Sequence, residues 1–321
     1  MKPIRFGLFT SNNRLPYQHW LSTLPKIEKL GYSTILQQDH FETQAYDPIV
    51  MLASAAAVTT KLNIGTLVFA VDYRHPVILA KASAALQLIS KGRLEFGIGA
   101  GYEPQDYKMA GIKYDPAHIR VDRLEEALEI IEMMWTQENT SYNGKHYKLD
   151  VMEKAGDLTD SNLPRIMIGG GGKRMLRLAA REANIVGIVH QWKGSFGEGV
   201  KEQKLDAIKQ KIEYVKSNVL RYGRDLDEVE FQLLSLWTFI TDDPDPYLEE
   251  LADYLGVSKS EAYESEYVFV GTGSEIKDKV LRIIDETDIN YFVVSPKLGQ
   301  IETFSKQVIQ PIINKIKTNN R

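Results

Sequence analysis

The sequence predicts an α/β protein of the (β/α)8 barrel class. Short β-rich runs alternate with longer stretches of helical periodicity, and eight principal strands can be counted along the 321 residues. Strands joined by helical crossovers pair in parallel, and eight is the number that closes such a barrel. The alternative is an open, doubly wound sheet, which differs because it leaves the last strand at an edge instead of pairing it with the first.

The elements follow one another in a regular order. The principal strands are predicted at residues 4–10, 32–39, 62–69, 93–101, 165–170, 184–190, 229–241 and 290–296. The helices are predicted at about 17–30, 48–59, 76–89, 118–135, 173–183, 200–222 and 274–286, with a final helix from 302. Thr272 and Glu275 have the spacing of a capping box at the start of the seventh helix, just after the short β-rich run "EYVFVG".

Three segments do not fit the repeat and are predicted insertions. They cover about 137–164, 191–200 and 242–270, and the first contains Asn143-Gly144, a hairpin signal. In a barrel, loops that follow strands lie at the C-terminal face, where active sites form. Because no linker-like stretch divides the chain, residues 1–321 are predicted to form a single domain with these insertions.

Composition excludes several classes of function. The net charge of −4 and the pI near 5.9 give no basic field, so a nucleic-acid partner is not expected. The absence of cysteine excludes disulfides and thiolate metal sites, and it fits a reducing cytoplasm. The longest mostly apolar run, "IVMLASAAAV", is far shorter than the ~20 residues of a membrane span. We therefore expect a cytoplasmic protein without a membrane partner.

The glycine-rich motifs do not match the common phosphate loops. "GIGAGY" has Tyr102 where a dinucleotide fingerprint needs its third glycine, and "GGGGKR" has Arg174 where a P-loop needs serine or threonine. Gly97, Gly99 and Gly101 recur with period two, which places them on one face of a strand. That face would admit a flat ring against the backbone, or it would allow close packing inside a barrel.

The turn at residues 169–172 indicates a phosphate site. Four glycines lead into a helix whose first turn carries Lys173 and Arg174, although the helix dipole favours acidic side chains there. Backbone N–H groups at Gly170, Gly171 and Gly172, together with these cations, would bind an anion. The alternative is a flexible turn followed by a solvated stripe of arginines.

Most of the chain resembles the bacterial-luciferase-like, flavin-dependent oxidoreductases. The resemblance is carried by "LGYSTILQQDHF", by "RHPVILAKASAALQLISKGRLEFGIGAGYEPQDY", by "IMIGGGGKRMLRLAAREANIV" and by "FVGTGSEIKDKVLRIIDETDINYFVVSP". It implies a (β/α)8 barrel in which His40, after the second strand, faces the cofactor. It also implies that the fifth strand–helix turn holds the cofactor phosphate; here that turn lacks the serine or threonine hydroxyls of many members. Tyr102 stands where the family usually has tryptophan.

The predicted site contains one catalytic residue, His40. The predicted cofactor-binding residues are Asp39, Thr66, Gly99, Gly101, Tyr102, Gly170, Gly171, Gly172, Lys173, Arg174 and His190. On an ideal strand the side chain of Asp39 points away from that of His40, which favours a structural bond or loop anchoring. A hydrolytic metal site using His40, His190 and Asp39 is the competing hypothesis, but strand one ends in "FTSNN" and offers no ligand pair.

The resemblance implies a flavin-dependent oxidoreductase. The first expectation is a monooxygenase that uses reduced FMN and oxygen on a small organic substrate, with a separate flavin reductase as a partner. The alternatives are a deazaflavin-dependent dehydrogenase that transfers hydride and, in another class, a non-catalytic flavin-binding protein. A homodimer is also expected, formed through apolar residues on the early helices, including Met51 and the "ASAAAV" face.

Overall fold

A computed structural model describes residues 2–10, 16–41, 46–189 and 202–319 of the protein. The chain forms two compact units. The early unit comprises Thr10–Pro25 and Thr34–Ile168. The late unit comprises Met1–Phe9, Lys26–Ser33 and Gly169–Arg321.

The described ranges contain twelve strands and twelve α-helical segments. The strands are β1 (Arg5–Phe9), β2 (Thr34–Gln37), β3 (Asn63–Thr66), β4 (Phe69–Ala70), β5 (Leu94–Gly99), β6 (Asn139–Asn143), β7 (Lys148–Glu153), β8 (Arg165–Gly170), β9 (Ile185–Ile188), β10 (Glu230–Ile240), β11 (Val268–Gly271) and β12 (Ile289–Pro296). The helices are α1 (Tyr17–Lys29), α2 (Pro48–Val58), α3 (Pro76–Ile89), α4 (Pro104–Ala110), α5 (Ala117–Thr136), α6 (Lys173–Glu182), α7 (Leu205–Arg221), α8 (Asp245–Leu255), α9 (Lys259–Glu264), α10 (Gly273–Glu286), α11 (Ile301–Phe304) and α12 (Gln310–Asn319), with a π-helical segment, Ser305–Ile309, between the last two.

The early unit is built on parallel strands. β2 pairs with β3, β3 with β5, and β5 with β8, while the short β4 also pairs with β5. On the outer side of β5, the buried ring of Phe96 lies edge-on to the ring of Trp135 from α5, with 5.4 Å between centroids. Helices α3 and α5 pack on each other. Alternating strands and helices therefore form this unit as the hydrophobic pattern predicts.

The late unit decides between the two predicted folds. β12 pairs in parallel with β1, with Phe6 opposite Phe292, so the last strand is not at an open edge. β10 pairs with β9, β11 and β12. Between these strands, Arg5 forms an ion pair with Glu230 at 2.6 Å and lies 3.5 Å from the ring centroid of Tyr291. The (β/α)8 barrel class is confirmed, and the open-sheet alternative is wrong.

Helix starts follow the capping signals of the sequence. Thr272 and Glu275 form both bonds of the predicted capping box at α10. Asp47 caps α2, accepting from the backbone N–H groups of Ile49 and Val50, and Pro48 occupies the first turn. His75 caps α3 through Nδ1, which accepts from Val77 at 3.3 Å.

The predicted insertions have different outcomes. The first contains the antiparallel hairpin β6–β7, whose turn begins at Asn143-Gly144 as predicted. Glu126 of α5 anchors this turn, because its carboxylate accepts from the backbone N–H groups of residues 145–147 at 2.9 to 3.1 Å. The second, 191–200, lies outside the described residues. The third, 242–270, contains α8 and α9 but extends too far, because the apolar run Val268–Gly271 is strand β11, paired with β10.

The expected exposure of Met51 is wrong. Met51 is only 2% exposed, since α2 is apolar on every side and turns this residue inward. The outward apolar residues on α2 and α3 are instead Val50, Val58, Ile78, Leu88 and Ile89. Exposed apolar residues are therefore present on the early helices, but Met51 is not one of them. No helix within the described ranges combines the length and apolar character that a membrane span requires.

Candidate active site

His40 lies just beyond the C-terminal end of β2 and is held by a buried carboxylate. Its Nδ1 atom is 2.5 Å from Oδ2 of Asp106, whose side chain is fully buried. The backbone N–H of Phe41 donates to the other oxygen, Oδ1, at 2.8 Å, and the hydroxyl of Tyr73 donates to Oδ2 at 3.2 Å. Asp106 therefore fixes both the ring of His40 and the backbone that follows it.

This arrangement determines which imidazole nitrogen is available. A carboxylate beside Nδ1 favours the tautomer that carries its proton there, which leaves Nε2 with a lone pair. Nε2 lies 3.4 Å from the hydroxyl of Tyr102, longer than a strong hydrogen bond, and the His40 side chain is 22% exposed. His40 can therefore accept a proton at Nε2 from a group that approaches this side.

The predicted elements do not include Asp106, because α4 falls outside the predicted helices. Helix α4 begins with Pro104 in its first turn, after Glu103 as its cap, and ends at Gly111, which has a φ of 69°. Proline at the first turn and glycine just past the end are the standard boundaries of a short helix. These signals are present in "EPQDYKMAG", and the helix they bound places Asp106 and Tyr107 on its inner face.

A cluster of aromatic rings surrounds the His40–Asp106 pair. The ring of Tyr102 lies edge-on to the imidazole at 5.6 Å, and the ring of Phe41 lies 4.4 Å from that of Tyr73. Tyr107 packs against Tyr73 at 5.4 Å. Burial, with the charge of Asp106 as a further cause, raises the pKa of Tyr73 above its ordinary value. Tyr73 therefore acts here as a hydrogen-bond donor and not as an anion.

A second buried ion pair contacts this cluster through Tyr107. Arg123 of α5 binds both carboxylate oxygens of Asp72, at 2.7 and 2.8 Å, and the hydroxyl of Tyr107 donates to Asp72 at 2.8 Å. Arg123 also reaches Asp115 at 2.7 Å. Burial, with the charge of Asp72 next in size, raises the pKa of Tyr147 to about 12. These charges are therefore compensated within the protein, and through Tyr107 they help to position the rings.

Asp39 and Thr66 are both engaged inside the protein. The Asp39 carboxylate accepts from Arg74 at 2.7 Å and from the backbone N–H of Ala70 at 3.1 Å, which is the loop-anchoring role that its strand position indicated. Burial raises the pKa of Asp39, and Arg74 opposes this effect. The hydroxyl of Thr66 is buried and donates to the carbonyl of Gly97 at 2.8 Å. Contact of either residue with a cofactor stays a prediction.

The glycine face of β5 is filled by protein. A Cβ at Gly97 would collide with the carbonyl of Thr66, and one at Gly99 would lie 2.8 Å from a methyl group of Val68. Gly101 has a φ of 71°, and a Cβ there would collide with the hydroxyl of Tyr107. The expectation that this face of the strand is open to a flat ring is therefore wrong, because protein atoms occupy the positions that side chains at these glycines would take. Close packing is the reason for the glycines, and cofactor contact by Gly99 or Gly101 stays a prediction.

The predicted phosphate turn belongs to the late unit. β8 ends at Gly170, Gly172 caps α6 without any side-chain bond, and the first turn of α6 contains no acidic residue. Lys173 is exposed. A Cβ at Gly170 would lie 2.5 Å from the Cβ of Met175, so this glycine permits the tight strand–helix turn. The structure of the turn fits an anion, and binding by Gly170, Gly171, Gly172, Lys173 and Arg174 stays a prediction.

His190 lies outside the described residues, as does the loop that follows it. Within the described ranges, no group of three or more His, Asp or Glu side chains is arranged to hold a metal ion.

The sequence is similar to several known oxidoreductases. The F420-dependent glucose-6-phosphate dehydrogenase of Microbacterium testaceum is 29% identical over 188 residues, 56% of this chain and 55% of that protein. The enzyme of the same name from Segniliparus rotundus is 26% identical over 254 residues, 77% of this chain and 71% of that protein. For the first of these, and for the one from Amycolatopsis mediterranei, the chain spans about half the length of the relative.

Solved structures and a family model agree on the fold. An F420-dependent secondary alcohol dehydrogenase, in complex with an F420–acetone adduct, superposes with a TM-score of 0.82 at 18% identity, covering 97% of this chain and 99% of that one. The EDTA monooxygenase from Chelativorans sp. BNC1 gives a TM-score of 0.81 at 14% identity, covering 98% and 95%. Residues 4–283 match the model of the luciferase-like monooxygenases. The chain therefore belongs to the luciferase-like monooxygenase family.

Proposed function

We propose that this protein is a deazaflavin-dependent oxidoreductase that interconverts a small alcohol and its carbonyl compound. The observation that carries the proposal is the His40–Asp106 pair, in which the carboxylate holds Nδ1 and leaves Nε2 as a proton acceptor. Oxidation of an alcohol requires loss of the hydroxyl proton as well as a hydride, and a positioned imidazole performs the proton step. A bound deazaflavin supplies the hydride acceptor.

Two groups of residues would take part in this reaction, one in proton transfer and the other in cofactor binding. His40 takes the hydroxyl proton at Nε2 in oxidation and returns it in reduction, while Asp106 stabilises the imidazolium that forms. The turn at Gly170–Gly172, with Lys173 beside it, would hold the phosphate of the cofactor through backbone N–H groups and a cation. The names of the curated relatives support a deazaflavin, but their sugar phosphate substrate is not part of this proposal.

The second candidate is an FMN-dependent monooxygenase. The description of the family and the similarity to the EDTA monooxygenase favour it. In that case the substrate is oxygenated, oxygen is consumed, and a separate flavin reductase supplies reduced FMN. A non-catalytic flavin carrier would bind the cofactor and catalyse neither reaction.

The deciding experiment loads the purified protein with oxidised deazaflavin or with FMN and measures cofactor affinity, cofactor reduction by alcohols, and oxygen uptake. We expect deazaflavin reduction without oxygen uptake. His40→Asn should lower turnover by ~10²-fold or more and leave cofactor affinity unchanged. Gly171→Val should weaken cofactor affinity, because its side chain would block the backbone of the turn. Oxygen-dependent product formation with FMN alone would establish the second candidate instead.

We also propose a cytoplasmic homodimer. Helices α2 and α3 expose five apolar side chains, those of Val50, Val58, Ile78, Leu88 and Ile89. A second copy of the chain would cover them. The lack of cysteine fits a reducing compartment.

A further inference from the structure

Three exposed aromatic side chains belong to His40's chain neighbour, to its ring contact and to a residue bonded to that contact. Phe41 is 41% exposed, Tyr102 is 48% exposed and Tyr114 is 40% exposed, and we call these three the exposed aromatic surface. The ring of Tyr102 lies 5.6 Å from the imidazole, and Tyr114 donates to the Tyr102 carbonyl at 3.0 Å. Exposed aromatic side chains near an acid–base residue are typical of a surface that a ligand covers.

Contacts within the protein hold these side chains in place. The backbone N–H of Phe41 is bound to Asp106, and its ring lies 4.4 Å from that of Tyr73. The guanidinium of Arg120 lies 4.4 Å from the centroid of the Tyr114 ring and donates to the hydroxyl of Tyr114 at 3.1 Å. Rings that are already ordered lose little entropy on binding, which favours a contact role over a purely structural one.

The charges around the surface do not suit an anionic ligand. Arg74 and Arg123 each bind two carboxylates, and Arg120 donates to backbone carbonyls. Lys108 follows Asp106 by two residues on α4, roughly 200° around the helix, and so points away from His40. Lys113, which precedes Tyr114, forms an ion pair with Asp115 at 2.7 Å. Each of these described cations of the early unit is therefore engaged within the protein or directed away from His40.

We infer that the exposed aromatic surface binds the uncharged, apolar body of the substrate, most simply a ring or a branched alkyl group, while the substrate oxygen faces Nε2 of His40. This substrate class rests on the proposed function. It is a neutral alcohol or ketone rather than a phosphorylated sugar. A dianionic phosphate on this surface would lose its hydration without gaining any of these described cations, whereas an apolar group exchanges water for ring contacts.

The experiment compares binding of acetophenone and of glucose 6-phosphate by saturation-transfer NMR, with and without cofactor. Phe41→Ala is the test variant, and Phe41→Leu is the matched control that keeps an apolar side chain. We expect wild-type protein to bind acetophenone and not glucose 6-phosphate. Phe41→Ala should weaken acetophenone binding about tenfold, and Phe41→Leu by less than about threefold. The Michaelis constant for the secondary alcohol that corresponds to acetophenone should rise in parallel, with little change in kcat.

Two results would overturn the inference. One is a weaker cofactor affinity in Phe41→Ala with unchanged acetophenone binding, because the rings would then hold the cofactor. The other is displacement of acetophenone by glucose 6-phosphate. His40→Asn separates this inference from the proposed function: it should lower turnover by ~10²-fold or more while acetophenone still binds. Normal turnover in His40→Asn, with weakened binding in Phe41→Ala, would refute the proposed function and leave the substrate class standing.

Discussion

Replacing Asp106 by asparagine removes a charge without changing the shape of the site. In the wild type, Oδ2 accepts from His40 at 2.5 Å and from Tyr73 at 3.2 Å, while Oδ1 accepts from Phe41 at 2.8 Å. The asparagine oxygen can still accept from the backbone N–H of Phe41. Its NH2 group then faces Nδ1–H of His40 and the hydroxyl of Tyr73, and both of these groups are donors in the wild type. The conflict is relieved when the imidazole proton moves to Nε2, so that Nδ1 accepts from the amide.

That tautomer cannot take a proton from a substrate at Nε2. We expect kcat to fall by about 10²- to 10³-fold, which corresponds to about 3–4 kcal/mol at 1.36 kcal/mol per tenfold. The loss of a charge-assisted hydrogen bond in a fully buried site should also cost about 2 kcal/mol of folding free energy. The protein should remain folded, because the substitution preserves side-chain volume.

The assay measures the kcat and the Michaelis constant of the cofactor-loaded variant, its thermal unfolding, and the nitrogen-15 shifts of the His40 ring, which report the tautomer directly. Tyr73→Phe is the control: it removes the longest of the three bonds, keeps the ring in contact with that of Phe41, and should cost about fivefold or less in kcat. If Asp106→Asn turns over within threefold of the wild type, or if its His40 ring keeps the proton on Nδ1, the reasoning from tautomer to catalysis is wrong.

Three further predictions concern stability and assembly. Gly101→Ala should unfold at lower temperature and lose about 2 kcal/mol or more, because the new Cβ meets Tyr107 at a positive φ; an unchanged melting temperature would contradict this. Glu126→Ala should leave three backbone donors of the β6–β7 turn unbound and speed amide exchange there, with Glu126→Gln less affected because its carbonyl still accepts. The double variant Ile78→Asp and Ile89→Asp should sediment as a monomer while the wild type sediments as a dimer, and a monomeric wild type would remove the basis for this expectation.

Local signals in the sequence determined the order and type of the main elements. Period-two runs, helical stripes and caps such as Thr272 depend on neighbours a few residues away, so they can be read from the chain itself. The β-rich run 290–296 became β12 close to its predicted bounds, and its pairing with β1 followed from the strand count. The position of His40 after β2 also followed from this local pattern.

The tertiary structure decided what each side chain faces. Met51 lies on a helix that is apolar all round, so periodicity could not tell its buried side from its exposed one. Gly97, Gly99 and Gly101 have the spacing of an open face, but the Thr66 carbonyl, Val68 and Tyr107 fill it once the chain is folded. Asp106 is 66 residues from His40, and only the folded position of α4 beside the residues that follow β2 brings its carboxylate to the imidazole. Contacts of this range depend on the fold, which is why the sequence identified the histidine and the structure identified the partner that prepares it for proton transfer.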